Sequence, residues 1–268
     1  MRGLRALHQG LPAQGHGIPL LAMFQPRDYR LWVNTPELVA YSVIIKETDL
    51  YIRTTANFYD AAFQAVKEHR KALEAYISLH PFFAASFEAV AVEPGAPLIV
   101  REMAGAAAAA GVGPMAAVAG AISQLVGQEL SRLSDEVIVE NGGDNYLRSS
   151  KERVVAIYAG SSPLTGKVGL RFMPRDMPLG ICTSSGTVGP SISLGKADAA
   201  VVVSSSAALA DAAATAVGNA VKSADDIPAA LEIASGINGV KGAVVIIGDR
   251  IGVWGKLEIC RLETDRDA

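Results

Sequence analysis

Apolar positions along the chain follow two rhythms that exchange several times. Tyr29, Leu31 and Val33 alternate with polar neighbours across residues 27–34, and residues 41–45 and 50–54 flank Lys46-Glu47-Thr48-Asp49 as two strands flank a tight turn. The period then lengthens. Between residues 58 and 79, Phe58, Ala61, Ala62, Ala65, Val66, Leu73 and Ile77 recur at three- and four-residue steps, with Lys67, Glu68, Arg70 and Lys71 on the other side, which predicts an amphipathic helix stopped by His80-Pro81.

Between Glu102 and Glu129 there is no charged residue, a length that in principle crosses a bilayer. Ala and Gly dominate it and contribute little to insertion, and Gly111, Gly113 and Pro114 divide it into pieces too short for about 30 Å of hydrocarbon. Two helices buried against a core are expected, the second running from Pro114 to about Leu133. Short β-branched runs follow at 137–139, 154–158, 168–172 and 179–183, separated by Gly- and Ser-rich turns. The remainder reads as a strand at 199–203, helices at 207–220 and 227–234, a hairpin of 243–247 with 251–254 over Gly248-Asp249, and a closing strand at 257–262. Strands joined by such short turns pair antiparallel while the helices cover one face, so the expected class is α+β with a mostly antiparallel or mixed sheet. Residues 24–268 read as one domain. Residues 1–23, interrupted by Gly10, Pro12, Gly15, Gly17 and Pro19, read as a flexible extension without the apolar core of a signal peptide.

Composition narrows the function. Half of the 268 residues are hydrophobic and 19% are charged, enough for a sizeable core. Lys and Arg number 24 against 27 Asp and Glu, a net charge of -3 that leaves no basic field for a nucleic acid. A small-molecule or nucleotide ligand is the expected partner, with no membrane, and a homo-oligomer stays open. Only Cys182 and Cys260 are present, too few for a disulfide scaffold and without zinc-type spacing, so a reducing, cytoplasmic setting is expected.

Four small-residue motifs carry chemistry. Gly111 and Gly113, just before Pro114, can expose backbone N–H groups at a helix start where an anion sits well, with plain helix capping as the alternative. Asn141-Gly142-Gly143-Asp144 follows a β-branched run and reads as a hairpin turn; its glycines also let a ligand approach the backbone, and Asp144 can take a sugar hydroxyl or a metal. The turn Cys182-Thr183-Ser184-Ser185-Gly186-Thr187 concentrates one thiol and four hydroxyls, able to hold phosphate. Cys182 is a candidate nucleophile there, or a small buried apolar residue. Asp211 and Thr215, four apart in an Ala-rich helix, share a face and offer two hard oxygens to Mg²⁺, while Asp211 also suits the helix dipole.

Together, KETDL (46–50), HPF (80–82), GVGPMAAVAGAI (111–122), VENGGD (139–144), IYAG (157–160), PLGICTSSGTVG (178–189), GKADA (195–199), ADAAATAVGN (210–219) and IGDRIGVWG (247–255) resemble the UPF0280 family, placed in the ApbE-like superfamily. The resemblance spans nearly all of residues 27–257. It implies an ApbE-like, T-fold-like architecture and relationship to Mg²⁺-dependent transferases that move FMN from FAD onto a protein threonine. Asn141, Gly142, Gly143 and Asp144 fall on the superfamily's Asn-x-Gly-Gly-Asp stretch, Thr183, Ser184 and Gly186 on its Thr-Ser-Gly turn near the flavin nucleotide, and Asp211 and Thr215 on its metal-ligand segment. FAD or FMN with Mg²⁺ are therefore the implied cofactors. The transferases' His-x-x-Asp-Pro-x-Thr-Gly segment has no counterpart, and Pro190 stands where the family usually shows His, so the resemblance implies a nucleotide pocket without establishing flavin transfer. A family association with sulfur assimilation toward homocysteine further implies a persulfide-carrier role for Cys182; a non-catalytic interaction protein is the remaining alternative.

Overall fold

The computed structural model describes residues 35–187 and 194–262. The extension at 1–23, the alternation at 27–34 and Pro190 lie outside the described residues.

Eight strands form one antiparallel sheet whose spatial order follows the chain: β1 (Val39–Ile45), β2 (Thr48–Thr54), β3 (Val137–Asn141), β4 (Asp144–Arg148), β7 (Leu179–Ser184), β8 (Ala199–Ser204), β9 (Val240–Ile247) and β10 (Arg250–Gly255). Helices α1 (Tyr59–Leu79), α2 (Phe82–Ala85), α3 (Leu98–Ala110) and α4 (Val118–Leu130) are inserted between β2 and β3, whereas α5 (Ala207–Ala220) and α6 (Ile227–Gly236) connect β8 to β9. Each half thus runs two strands, helices, two strands, and the expected α+β class holds.

Among the described residues the six α-helices lie on one face. Tyr41, Val43, Leu50, Ile52, Val137, Val139 and Tyr146 pack there with α1, α3 and α4, and Cys182, Ala200 and Val202 with α5 and α6. Successive side chains of a strand point to opposite faces, so the intervening residues Ile138, Leu147, Ile181 and Val201 point the other way. What covers them was not anticipated from the sequence. Strands β5 (Arg153–Ala156), β6 (Val168–Phe172) and β11 (Glu258–Arg261) form a separate antiparallel sheet ordered β11-β6-β5 over that second face. The predicted closing strand therefore pairs with β6 and not with β10, and the run at 154–158 is strand only to Ala156.

The uncharged stretch folds as α3 and α4, linked through Gly111 and a 3₁₀ turn at Pro114–Ala117 that bends the pair by 105°. Among the described residues no single helix is long and apolar enough to cross a membrane. The Ala and Gly content answers a packing demand. A Cβ at Gly180 would lie 2.2 Å from the Ala207 Cα, and one at Gly120 2.2 Å from the Ala207 carbonyl oxygen, so α5 rests against β7 and α4 at backbone distance. Gln124 of α4 completes the junction, its Oε1 accepting from the Ala207 amide at 2.7 Å and from the Ser206 hydroxyl at 3.0 Å, which satisfies donors at the start of α5.

Candidate functional site

The β3–β4 hairpin turns over two residues, Gly142 (φ 68°) and Gly143 (φ 110°), with Asn141 opposite Asp144. That backbone strongly favours glycine, and it leaves a tip without side chains. The neighbouring strand β7 runs through Ser184, so Thr183 and Ser184 belong to the strand and only Ser185, Gly186 and Thr187 to the expected turn. A Cβ on Gly143 would sit 3.7 Å from the Thr183 carbonyl oxygen. Two of the sequence motifs are therefore side by side.

Alternation along β4 and β7 divides their residues between two compartments. Asp144, Cys182 and Ser184 point toward the helices; Asn145, Thr183 and Ser185 point toward the second sheet.

On the helix side two carboxylates meet. Asp144 is almost fully buried and its Oδ1 has no hydrogen-bond partner. Asp211, half-buried on α5, accepts the Gly120 amide on Oδ2 at 2.8 Å, and Asn141 ties the same segment down by donating from Nδ2 to the Ala119 carbonyl at 3.1 Å. Burial pushes the Asp211 carboxyl up to about 7 despite backbone hydrogen bonds at Gly120 and Ala119. Burial and the charges of Asp211 and Glu140 hold Asp144 well above the usual carboxylate range. Thr215 is one helical turn beyond Asp211 on the same face, and a further turn brings Gly218, where a Cβ would lie 3.3 Å from that of Ser184. Gly143, Ser184 and Thr215 thus lie around one end of the sheet.

Cys182 belongs to this compartment, fully buried, with its Sγ donating to the Ala207 carbonyl at 3.3 Å. Burial and the Asp144 and Asp211 carboxylates raise its pKa well above the ordinary thiol value. A nucleophile or persulfide carrier needs the opposite, a thiolate favoured by positive neighbours and open to a partner. The environment is that of a buried thiol.

Gly111 and Gly113 have local structural roles. Gly111, at φ 68°, ends α3 in the left-handed conformation, and Val112 donates back to the Ala107 carbonyl at 3.1 Å. A Cβ at Gly113 would lie 2.0 Å from the Ser86 carbonyl oxygen, so this glycine serves close packing.

On the other side of the sheet a cavity of about 500 Å³ lies between the two sheets. Ile138, Ile181 and Val201 of the large sheet and Val155 and Leu170 of the small one supply its aliphatic lining, Tyr51, Arg53 and Glu140 add polar and charged groups, and Gly142, Gly143, Thr183, Ser185 and Asn145 line it at the hairpin end. Asn145 Nδ2 braces that end by donating to the carbonyls of Gly143 at 3.1 Å and Ile181 at 3.2 Å. Arg153 at the wall is buried and donates to Glu136 at 2.7 Å and Glu37 at 2.9 Å. The loop after β7 is anchored by Asp198, which accepts from the Thr187 hydroxyl at 3.1 Å and the Gly248 amide at 2.7 Å, while Gly186 donates to the Ala197 carbonyl at 2.9 Å.

Sequence reasoning missed Ala119, Gly120, Asn145 and Asp198. The first two act through the backbone and carry no side-chain signal. Asn145 was within reach, since alternation from Asp144 places it on the opposite face.

A family model described as AbpE bacteria matches residues 30–251. The chain is 46% identical to a UPF0280 protein of Methanosarcina acetivorans over 207 residues, covering 76% of this chain and 81% of the relative. It is 42% identical to a UPF0280 protein of Methanocaldococcus jannaschii over 221 residues, covering 80% and 90%. Among solved structures it resembles the apo form of the Pseudomonas stutzeri flavinyl transferase ApbE, with a TM-score of 0.50 and 15% identity over 82% of this chain and 94% of that one. At that identity the likeness speaks to the fold.

Proposed function

The chain belongs to the UPF0280 family and is ApbE-like, and from that membership we propose that it binds a flavin or adenine nucleotide together with Mg²⁺ at the Gly142-Gly143 tip. The observation that carries the reading is the orphaned, buried Oδ1 of Asp144 beside the half-buried Asp211. An unpaired acceptor in such a place costs about 1–3 kcal/mol, and two carboxylates crowded together add mutual repulsion. A cation relieves both.

The donor set fits Mg²⁺. It consists of hard oxygens, those of Asp144, Asp211 and Thr215, all close to the end of the sheet. Among the described residues no three His, Cys, Asp or Glu side chains gather as a self-sufficient metal site. Mg²⁺ takes one or two carboxylates and completes its shell with water and ligand phosphate. Bound there, Mg²⁺ supplies the positive charge that holds a diphosphate against an acidic wall. The tip lets the ligand approach the backbone, and Thr183, Ser184 and Ser185 offer hydroxyl donors. The free cysteines support placing the protein in a reducing, cytoplasmic compartment. Whether the bound nucleotide is transferred is a further step for which these residues supply no nucleophile.

Thermal unfolding of the full chain with FAD, FMN or ADP, each with and without Mg²⁺, tests the reading. A ligand at 100 times its Kd stabilises the folded state by about 2.7 kcal/mol, readily seen as a rise in Tm. The rise should require Mg²⁺ and vanish in Asp211→Asn. No shift with any of the three nucleotides would refute the proposal.

A further inference from the structure

The two sheets do not cover each other completely. The small sheet packs on β4, β7, β8 and β9 and ends, among the described residues, at the edge strand β5. The large sheet continues past that edge through β3 and β2, which contribute Ile138, Tyr51 and Arg53 to the lining of the cavity. The space of about 500 Å³ is therefore a slot beside β5 as well as a gap between sheets. Packed sheets lie about 10 Å apart and neighbouring strands about 4.8 Å apart, so one further strand next to β5 would roof the slot. We propose that residues 27–34, which lead into Thr35, dock there as a fourth strand on the open edge of β5, with Tyr29, Leu31 and Val33 facing the large sheet. The inference goes beyond the nucleotide reading and does not depend on it, since the carboxylate pair lies on the other face.

The chain arrives at the right place. Thr35 lines the slot and its hydroxyl accepts from Arg53 Nη1 at 3.0 Å. Leu38 donates its amide to the Thr35 carbonyl at 3.0 Å, closing a turn ahead of β1. Glu37, within that turn, accepts from Arg153 Nη1 at 2.9 Å, which fixes the entry beside the first residue of β5. Traced backward from there, the segment runs antiparallel to β5, the pairing used throughout the small sheet. At about 3.3 Å per residue its extended length is about 26 Å, more than the four residues of β5 require. Its alternation fits as well. Tyr29, Leu31 and Val33 share one face, suited to a slot lined by Ile138, Val155 and Leu170, while Trp32 falls on the opposite face, the side on which Val154 is 39% exposed. The Ile157 amide donates to the Val168 carbonyl at 2.9 Å, so by the two-residue period of the ladder the amides of Val154 and Ala156 point away from β6. Such an edge needs backbone partners, which a peptide strand supplies and an apolar small molecule does not. A segment tethered at the rim of the slot has an effective concentration in the mM range, which favours it over a free peptide or a second copy.

Hydrogen exchange of the full chain reads the edge directly. The amides of Val154 and Ala156 should exchange at least about tenfold more slowly in wild type than in Leu31→Asp/Val33→Asp, while those of β9 exchange alike in both and verify that the variant is folded. In wild type alone, trypsin should cut after Arg30 at least about tenfold more slowly than in a synthetic peptide of residues 24–37. Edge amides that exchange equally fast in both proteins, or Arg30 cut as readily as in the peptide, would overturn the assignment. Protection lost on dilution would also overturn it, giving the edge to a second copy. So would protection that survives in the variant, which would give it to a bound small molecule, found by mass spectrometry of the denatured protein.

Discussion

Replacing Asp211 by Asn should stabilise the metal-free protein at alkaline pH, although the substitution sits in a close-packed helix. In the folded state burial lifts this carboxyl from the ordinary 3.8 to about 7, with Asp144 and the Cys182 sulfur as its ionisable surroundings. Because the folded value lies above the unfolded one, its contribution is fully present below about pH 4. It declines as pH rises, by up to about 1.4 kcal/mol per unit, until the folded carboxyl has ionised near pH 7. The rise of roughly three units corresponds to a total on the order of 4 kcal/mol, of which about 3 kcal/mol falls between pH 5 and 8. Asn has no such ionisation and keeps an oxygen for the Gly120 amide, now accepted at 2.8 Å. Urea unfolding followed by circular dichroism at pH 5, 6, 7 and 8 in EDTA should show the variant gaining on wild type by up to about 3 kcal/mol across that range. Mg²⁺ added at pH 8 should then raise wild type and leave the variant where it was. Parallel curves for the two proteins from pH 5 to 8 would show that the carboxylates are not held in repulsion, and the electrostatic case for a cation would fail.

Glu136 behaves with the opposite sign. Burial pulls its pKa upward, but hydrogen bonds from Ser149, Ser150 and Arg153 win and hold it at about 2, so its stabilisation is present at neutral pH and lost as pH falls from about 4.5 toward 2. Arg153→Met, which strands that charge, should cost about 3–5 kcal/mol in urea unfolding at pH 7, with a smaller deficit at pH 3. Thiol labelling tests the sulfur-relay alternative: with maleimide at pH 8, Cys260, partly exposed, should react at least about tenfold faster than Cys182, which is fully buried with a raised pKa. Rapid modification of Cys182 in the folded protein would restore it as a nucleophile.

Much of this molecule was legible residue by residue. The period-2 and period-3.6 patterns located the strands from 41 to 54, the helix ending at His80 and the helix at 207–220, because those patterns report which face of a single element is buried. Turn chemistry marked Gly142-Gly143, since few residues other than glycine adopt the backbone that a two-residue hairpin requires. The chemical types at Asp144, Thr183, Ser184 and Asp211 were equally plain. What the pattern could not supply was distance. Residues 103 to 128 read only as uncharged and small, and the purpose of that smallness, letting α5 rest on α4 and β7 at backbone separation, exists only once Gly120, Gly180 and Ala207 are brought together.

The candidate site divides along the same line. Nothing local distinguishes Cys182 from Thr183 in reach of solvent, yet strand alternation buries one beneath α5 and turns the next toward the cavity. The perturbed carboxylates arise from Asp144 and Asp211, 67 positions apart in the chain, meeting away from water. Burial and Coulomb interaction depend on separation in space, which sequence order does not encode. The chain itself determined which elements form and which reactive groups they carry; assembly of the two sheets and their helices decided which of those groups share a compartment, because only packing removes water from between them.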